Sequence, residues 1–200
     1  IYSGLTFRIN MNRTLRVGWL TFHALVVSLF VTMRDLDYGD TLNYSNYYIS
    51  DYVYLDFEPL FTFIAFIFRY FFPAEPVYFF FTITFITIVL INYSLSKLFS
   101  FPKAFILIWT FSSFFSYFYF TFETIRDGVA YSILLFAFTF LVINNVRKYL
   151  FLVLIASMFH YTYMIFIFLP LILKLEDKVI ILVLLIIIYF SSSILLNSQP

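Results

Sequence analysis

The chain has 200 residues, of which 63% are hydrophobic, 25% aromatic and only 12% charged, and its formal net charge is +1. A soluble domain carries about half apolar and about a quarter charged residues; this chain has too little polar surface to cover a globule, so a membrane protein is expected. The balanced charge leaves no electrostatic footprint for nucleic acid. The lack of Cys excludes disulfides, thiolate metal sites and Cys nucleophiles, and a total of two histidines, His23 and His160, speaks against a His-rich metal site.

A spanning helix needs about 20 mostly apolar residues. Arg8 to Arg16 reads as a basic entry segment and Val17 to Met33 as the first span. An acidic, Tyr-rich loop over Arg34–Phe57 follows. With Glu58 it holds Asp35, Asp37, Asp40, Asp51 and Asp56, about half of the chain's carboxylates. Glu58–Phe72 is apolar but short, and suits a re-entrant or interfacial segment better than a crossing. Further spans are expected over Val77–Ser96, Ala104–Phe122, from "FETIRDG" to about Ile143, over Tyr149–Leu173 and over Val179 to about Leu196. None alternates with period two, so helices rather than a barrel are expected. The expected fold is all-α, a polytopic helical membrane protein with about six spans plus one short re-entrant or interfacial helix. It forms a single domain over 1–200, with an extracytoplasmic loop at 34–57. No cleavable signal peptide is evident. Ile1 is not Met, and the chain reads as a fragment or a trimmed form.

Lys and Arg in short loops set sidedness. With Arg8, Arg13 and Arg16 inside, the count is seven inside to five outside whether or not Glu58–Phe72 crosses. Leaving out Arg34 and Arg126 as candidate functional groups gives seven to three if it does not cross, and six to four if it does. The shortness of the segment points the same way. The non-crossing arrangement puts Arg34–Phe57 and Glu123–Gly128 outside and Asn144–Lys148 inside.

Several residues carry chemistry. Glu123, Arg126 and Asp127 share one helical face by their spacing, at a membrane boundary where ionisable groups are costly. Arg126 offers a fork for phosphate; the alternative is an internal ion pair with Glu123 or Asp127. His160 sits mid-span in "ASMFHYTYM", as a general base or oxyanion donor, or as a structural histidine with one hydrogen bond. His23 has no polar neighbour in sequence. In the acidic loop, Tyr38, Tyr44, Tyr47, Tyr48, Tyr52 and Tyr54 supply aromatic faces and the carboxylates supply acceptors, as a carbohydrate surface does; a membrane-interface belt has the same composition. No P-loop, G-x-G-x-x-G, H-E-x-x-H or G-x-S-x-G is present.

Four segments occur in order: Arg34 with "GDTLNY" (Gly39–Tyr44), "FEPLF" (Phe57–Phe61), "IRDGVA" (Ile125–Ala130) and "ASMFHY" (Ala156–Tyr161). Together they resemble the EpsG-like branch of Wzy-type polysaccharide polymerases, over roughly Val17 to Leu173. Gly39 directly precedes Asp40, without the intervening residue of the family pattern, and Asp127 stands where Gln is frequent. The resemblance implies an enzyme of the bacterial cytoplasmic membrane. It joins undecaprenyl-pyrophosphate-linked oligosaccharide repeats on the outer face, making O-antigen, capsule or exopolysaccharide. It implies catalytic roles for Arg126, His160 and Asp40, and substrate binding by Arg34, Asp37, Tyr38, Tyr44, Glu58 and Glu123. No cofactor and no metal is expected. The expected partners are the lipid-linked oligosaccharide, the bilayer, a chain-length regulator and a flippase. The rival readings are a lipid-linked oligosaccharide flippase or other transporter, an O-antigen ligase, a membrane acyltransferase and a non-catalytic assembly partner. The acyltransferase would want a His paired with an acid, and His160 has none beside it in sequence.

Overall fold

A computed structural model describes residues 12–33, 39–49, 57–73, 75–113 and 124–174, and among these every regular element is a helix. In chain order they are α1 (Arg13–Thr32), α2 (Gly39–Ile49), α3 (Pro59–Phe71), α4 (Pro76–Leu98), α5 (Phe101–Ser112), α6 (Ile125–Val142) and α7 (Val146–Phe159). A 3-10 segment, Tyr161–Phe168, and a short α8, Leu169–Ile172, follow. The starts are written in the sequence. Pro opens the first turn of α3, α4 and α5, where its missing N–H costs nothing. The side chains of Asn12 and Asn145 accept from Thr14 N and Lys148 N and cap α1 and α7. Asn144 takes a φ of 57° between α6 and α7, a left-handed conformation that Asn tolerates better than most residues.

Three of these helices, α1, α4 and α6, are long and apolar enough to cross a membrane. The span expected over Ala104–Phe122 is helical through Ser112, with 114–122 outside the described residues, as is the expected last span, Val179–Leu196. The span expected over Tyr149–Leu173 is interrupted. Helix α7 ends at Phe159, His160 is extended with φ −158° and ψ 115°, and a 3-10 segment replaces the α-helix.

Packing divides the chain into two units, 1–164 and 165–200. The described part of the second holds the end of the 3-10 segment and α8, in which Pro170 is buried. The first unit holds α1 to α7. Within it, α1 packs against α4 in the opposite direction: Leu20 and His23 meet Asn92, and Ala24 shares a core with Ile88 and Ile91. Helix α5 rises beside α1, with Trp19 against Phe105 at 4.5 Å and His23 against Trp109 at 6.1 Å. Helices α4 and α6 run together, since Ile83 shares a core with Val129 and Tyr93 meets Phe136 at 5.8 Å. The α6–α7 hairpin stacks Phe138 on Tyr149 at 6.1 Å.

These directions sort the charges. The starts of α1, α5 and α7 and the end of α4 form one end of the unit, carrying Arg13, Arg16, Lys97, Lys103, Arg147 and Lys148 and, among the described residues, no carboxylate. At the other end lie Asp40, Glu58, Glu75 and Asp127 with Arg69 and Arg126.

Helix α3 lies across this acidic end. Phe61 and Phe68, two turns apart, both pack on Phe79 in the first turn of α4, at 5.4 and 5.7 Å, and Phe72 meets Tyr78 at 5.0 Å. Phe61 and Ala65 are buried, whereas Phe63, Phe66, Tyr70 and Phe71 are exposed. A short helix with one apolar face on the core and aromatic side chains outside has the form of the re-entrant or interfacial segment expected over Glu58–Phe72.

The acidic segment is not all loop. It contains α2, whose Thr41, Tyr44, Ser45, Tyr47 and Tyr48 are buried. That spacing marks a helical face, hidden by the Asp, Asn and Ser content. The expectation of open tyrosine faces is therefore corrected for these three rings. Tyr44 and Tyr47 pack on Phe57 at 5.5 and 4.8 Å, and Tyr48 packs on Phe79 at 5.6 Å. The Tyr48 hydroxyl donates to the Phe72 carbonyl at 2.9 Å.

His23, without polar neighbours in sequence, has two in space. Asn92 Nδ2 lies 3.1 Å from His23 Nδ1 and 3.0 Å from the Leu20 carbonyl, and Ser112 Oγ lies 3.2 Å from His23 Nε2. An amide nitrogen only donates, so Nδ1 accepts and Nε2 carries the proton given to Ser112.

Phe79 joins α2, α3 and α4. Its replacement by Ala should cost about 3–5 kcal/mol and lower the unfolding midpoint in detergent. Phe63→Ala, at an exposed position of the same bundle end, should change stability by no more than about 0.5 kcal/mol.

Candidate functional site

Three backbone features bring the site together. Glu58 precedes Pro59, and a residue before proline is held extended; Glu58 has φ −60° and ψ 146°. Its side chain is thereby fixed at the start of α3. Arg126 is the second residue of α6, and the Gly128 N–H to Thr124 carbonyl bond of 2.9 Å closes that first turn. His160 caps α7, its N–H still bonded to the Ala156 carbonyl at 3.0 Å while its backbone turns out of the helix. It is therefore not in the middle of a continuous span, as expected, but at a helix break at the same end as Arg126.

Glu58 is the hub, with its side chain 6% exposed. Its Oε2 accepts a close ion-paired hydrogen bond from Arg126 Nη1. Its Oε1 accepts from His160 Nδ1 at 2.8 Å. Arg126 Nε donates to the Tyr44 hydroxyl at 3.2 Å, and the guanidinium lies 4.5 Å from the Phe57 ring centroid and 5.5 Å from that of Tyr44. A guanidinium over aromatic faces and against a carboxylate is held in one orientation. The His160 ring lies 6.0 Å from Tyr163, whose hydroxyl donates to the Asp127 carbonyl at 3.4 Å. The segment after the break is thus pinned to the start of α6.

Arg126, His160, Glu58 and Tyr44, all singled out from sequence, share one constellation. Arg126 pairs with Glu58, 68 positions away, and not with its neighbour Asp127; the alternative partner Glu123 falls outside the described residues. Asp40 lies in the first turn of α2, one turn before Tyr44. Arg34, Asp37, Tyr38 and Glu123 lie outside the described residues. Phe57 was not singled out; the aromatic residue directly before a buried acid was the available signal. No three His, Asp or Glu side chains among the described residues converge as a metal set would.

Burial pushes the Glu58 carboxyl up, but the His160 hydrogen bond, its own backbone N–H and the Arg126 charge outweigh it and hold it below the usual carboxylate range. Beside the hub, a cleft of about 290 Å³ opens between α2 and α3, lined by Tyr47, Tyr48, Thr62, Ala65, Phe66 and Arg69. Thr62 is one turn from Glu58 and its hydroxyl donates to the Phe57 carbonyl at 3.3 Å. The cleft therefore starts beside the charged cluster and runs along α3 toward Arg69.

An all-α chain with bilayer-length apolar helices and an embedded Arg–Glu–His cluster is a membrane protein built around a polar site. The EpsG family model matches residues 18–198, and the chain belongs to that family. Membership makes it a membrane protein of polysaccharide biosynthesis. Comparison with curated proteins and with solved structures returns no match.

A carboxyl with a lowered pKa in the folded chain adds stability above the ordinary glutamate range, and that stability is lost as the pH falls through the lowered value. The unfolding midpoint in detergent should therefore drop as the pH falls below the ordinary range. Glu58→Gln should lower the midpoint at neutral pH and flatten that acid-side drop.

Proposed function

We propose that the protein is a polymerase that joins undecaprenyl-pyrophosphate-linked oligosaccharide repeats into surface polysaccharide. The reaction is placed at the outer face of the bacterial cytoplasmic membrane, in a chain that crosses it several times. The observation that carries the reading is the convergence of Arg126 and His160 on one buried carboxylate, one helical turn from Thr62 in the lining of an apolar cleft.

Each part has a chemical task. A guanidinium has five N–H donors, of which Arg126 directs one to Glu58 and one to Tyr44. The rest face a leaving pyrophosphate and stabilise the charge that develops on it. In His160 the Nδ1–H is taken up by Glu58, which leaves Nε2 with its lone pair. The acceptor hydroxyl loses its proton to Nε2 and its oxygen bonds to the anomeric carbon of the growing chain. The bond from that carbon to the pyrophosphate oxygen breaks, and the pyrophosphate leaves with the electron pair. Glu58 stabilises the imidazolium that results, and the polyprenyl chain rests along α3 in the cleft. Asp40 is kept as a further catalytic carboxylate, and Arg34, Asp37, Tyr38 and Glu123 are assigned to substrate binding. A flippase delivers the substrate and a chain-length regulator limits the product.

Sidedness follows from the sorted charges. With Arg13, Arg16, Lys97, Lys103, Arg147 and Lys148 at one end, the positive-inside rule favours that end as cytoplasmic. The Arg126 cluster is then outside, where lipid-linked repeats are joined.

One rival gains from the geometry. His160 does have an acid partner, supplied by Glu58 from a distant part of the chain, so a membrane acyltransferase that decorates the polysaccharide is the second reading. In that case loss of Arg126 would remove acyl groups and leave polymer length unchanged.

Under the polymerase reading, Arg126→Ala should abolish polymer while the protein remains in the membrane, seen as loss of high-mass polysaccharide on gels at equal expression. Arg126→Lys should restore little, since a point charge lacks the planar fork. Normal-length polymer from Arg126→Ala would reduce Arg126 to an ion-pair residue. For sidedness, Thr124→Cys should label from outside the cell and Asn145→Cys should not, and the reverse pattern would overturn the arrangement.

A further inference from the structure

The basic end of the unit carries a second site, unrelated to the Arg126 cluster. A cleft of about 290 Å³ lies between the ends of α4 and α6. Lys97, Tyr93, Phe136 and Phe140 line it, and Lys148, outside the lining, sits over the Phe140 ring. Lys97 Nζ sits 5.3 Å from the Tyr93 centroid, Tyr93 lies 5.8 Å from Phe136, Phe136 lies 5.2 Å from Phe140, and Lys148 Nζ sits 5.4 Å from Phe140. The cations come from different helices, α4 and α7, while the rings between them come from α4 and α6.

We propose that this cleft binds an anionic phospholipid of the inner leaflet, its headgroup drawn to the basic rim to which Lys97 and Lys148 belong and an acyl chain along the rings of the cleft. Two observations and one comparison select that occupant. Both lysines are exposed, and among the described residues no carboxylate lies at this end, so an anion meets attraction without competition. The surface beside the lysines is strongly apolar: Val142 and Ile143, which also line the cleft, are 70% and 67% exposed, as side chains facing hydrocarbon are. A free phosphate would use the ammonium groups and leave the rings idle, whereas a phospholipid uses both. A lysine near a membrane surface adds about 1 kcal/mol to the attraction of an anionic headgroup, which is about fivefold in affinity per lysine.

The full chain, purified in a neutral detergent, is titrated with phosphatidylglycerol, with phosphatidylcholine of the same acyl chains and with inorganic phosphate, and retained lipid is read by native mass spectrometry. Phosphatidylglycerol should bind at least tenfold tighter than phosphatidylcholine, and millimolar phosphate should not displace it. Lys97→Gln with Lys148→Gln should weaken phosphatidylglycerol about thirtyfold and leave phosphatidylcholine unchanged. Lys103→Gln, an exposed cation at the same end but away from these rings, should stay within about twofold of the parent. Phe140→Leu should weaken both lipids. The proposal is overturned if the two lipids bind alike, if phosphate displaces phosphatidylglycerol, if the double variant binds as the parent does, or if Lys103→Gln weakens binding as much as the double variant.

Discussion

A carboxylate taken almost out of solvent must be matched by donors that stay in place, and Glu58 is matched from two directions. Arg126 reaches it from the start of one helix and His160 from the end of another. Removing one partner of such a buried pair leaves the other charge uncompensated, at a cost of about 3–5 kcal/mol. Much of the surrounding structure depends on this contact. Helix α3 can lie across the bundle end because Glu58 anchors its start. The break after α7 is tolerated because the histidine it exposes has a partner. Tyr44 and Phe57 lie against the guanidinium and cover part of it, which strengthens its electrostatics with Glu58.

The sequence allowed the apolar helices and four members of the site to be picked out, for a common reason. Polar groups are expensive in apolar surroundings, so Arg126, His160, Glu58 and Tyr44 were conspicuous where they stood. Their pairing was not legible. Glu58 and His160 are 102 positions apart, and no local pattern encodes a contact at that separation. Asp127, the described acid next to Arg126 in sequence, was an obvious partner by proximity, and Glu58 takes that place. The interruption at His160 was hidden because no Gly stands there and the first Pro comes only at Pro170. Helix α2 was missed because loop-like composition masked a helical spacing of buried Thr, Ser and Tyr.

Charge distribution shows the same difference between composition and geometry. Counted along the chain, the basic residues gave a nearly even division. Once the helix directions are known, the described cations of the spanning helices fall at one end, with Arg126 as the exception. That exception is the cation with a buried carboxylate and two aromatic rings around it. A tally along the sequence weighs a topological signal and a functional group alike, whereas their surroundings separate them.

The hydrogen bonds of His23 with Asn92 and Ser112 bear on uniqueness rather than on strength. The faces where α1, α4 and α5 meet are mostly Phe, Leu, Ile and Val, and such surfaces can slide past one another by a turn at modest cost. Three polar groups drawn from three helices meet in only one alignment. A slip of one turn, about 5.4 Å, would part the His23 ring and the Asn92 amide from the partners they have across the helices, and a polar group left unpaired in hydrocarbon costs several kcal/mol. The trio therefore acts as an alignment key. It selects one vertical setting of greasy helices that have little else to tell neighbouring registers apart.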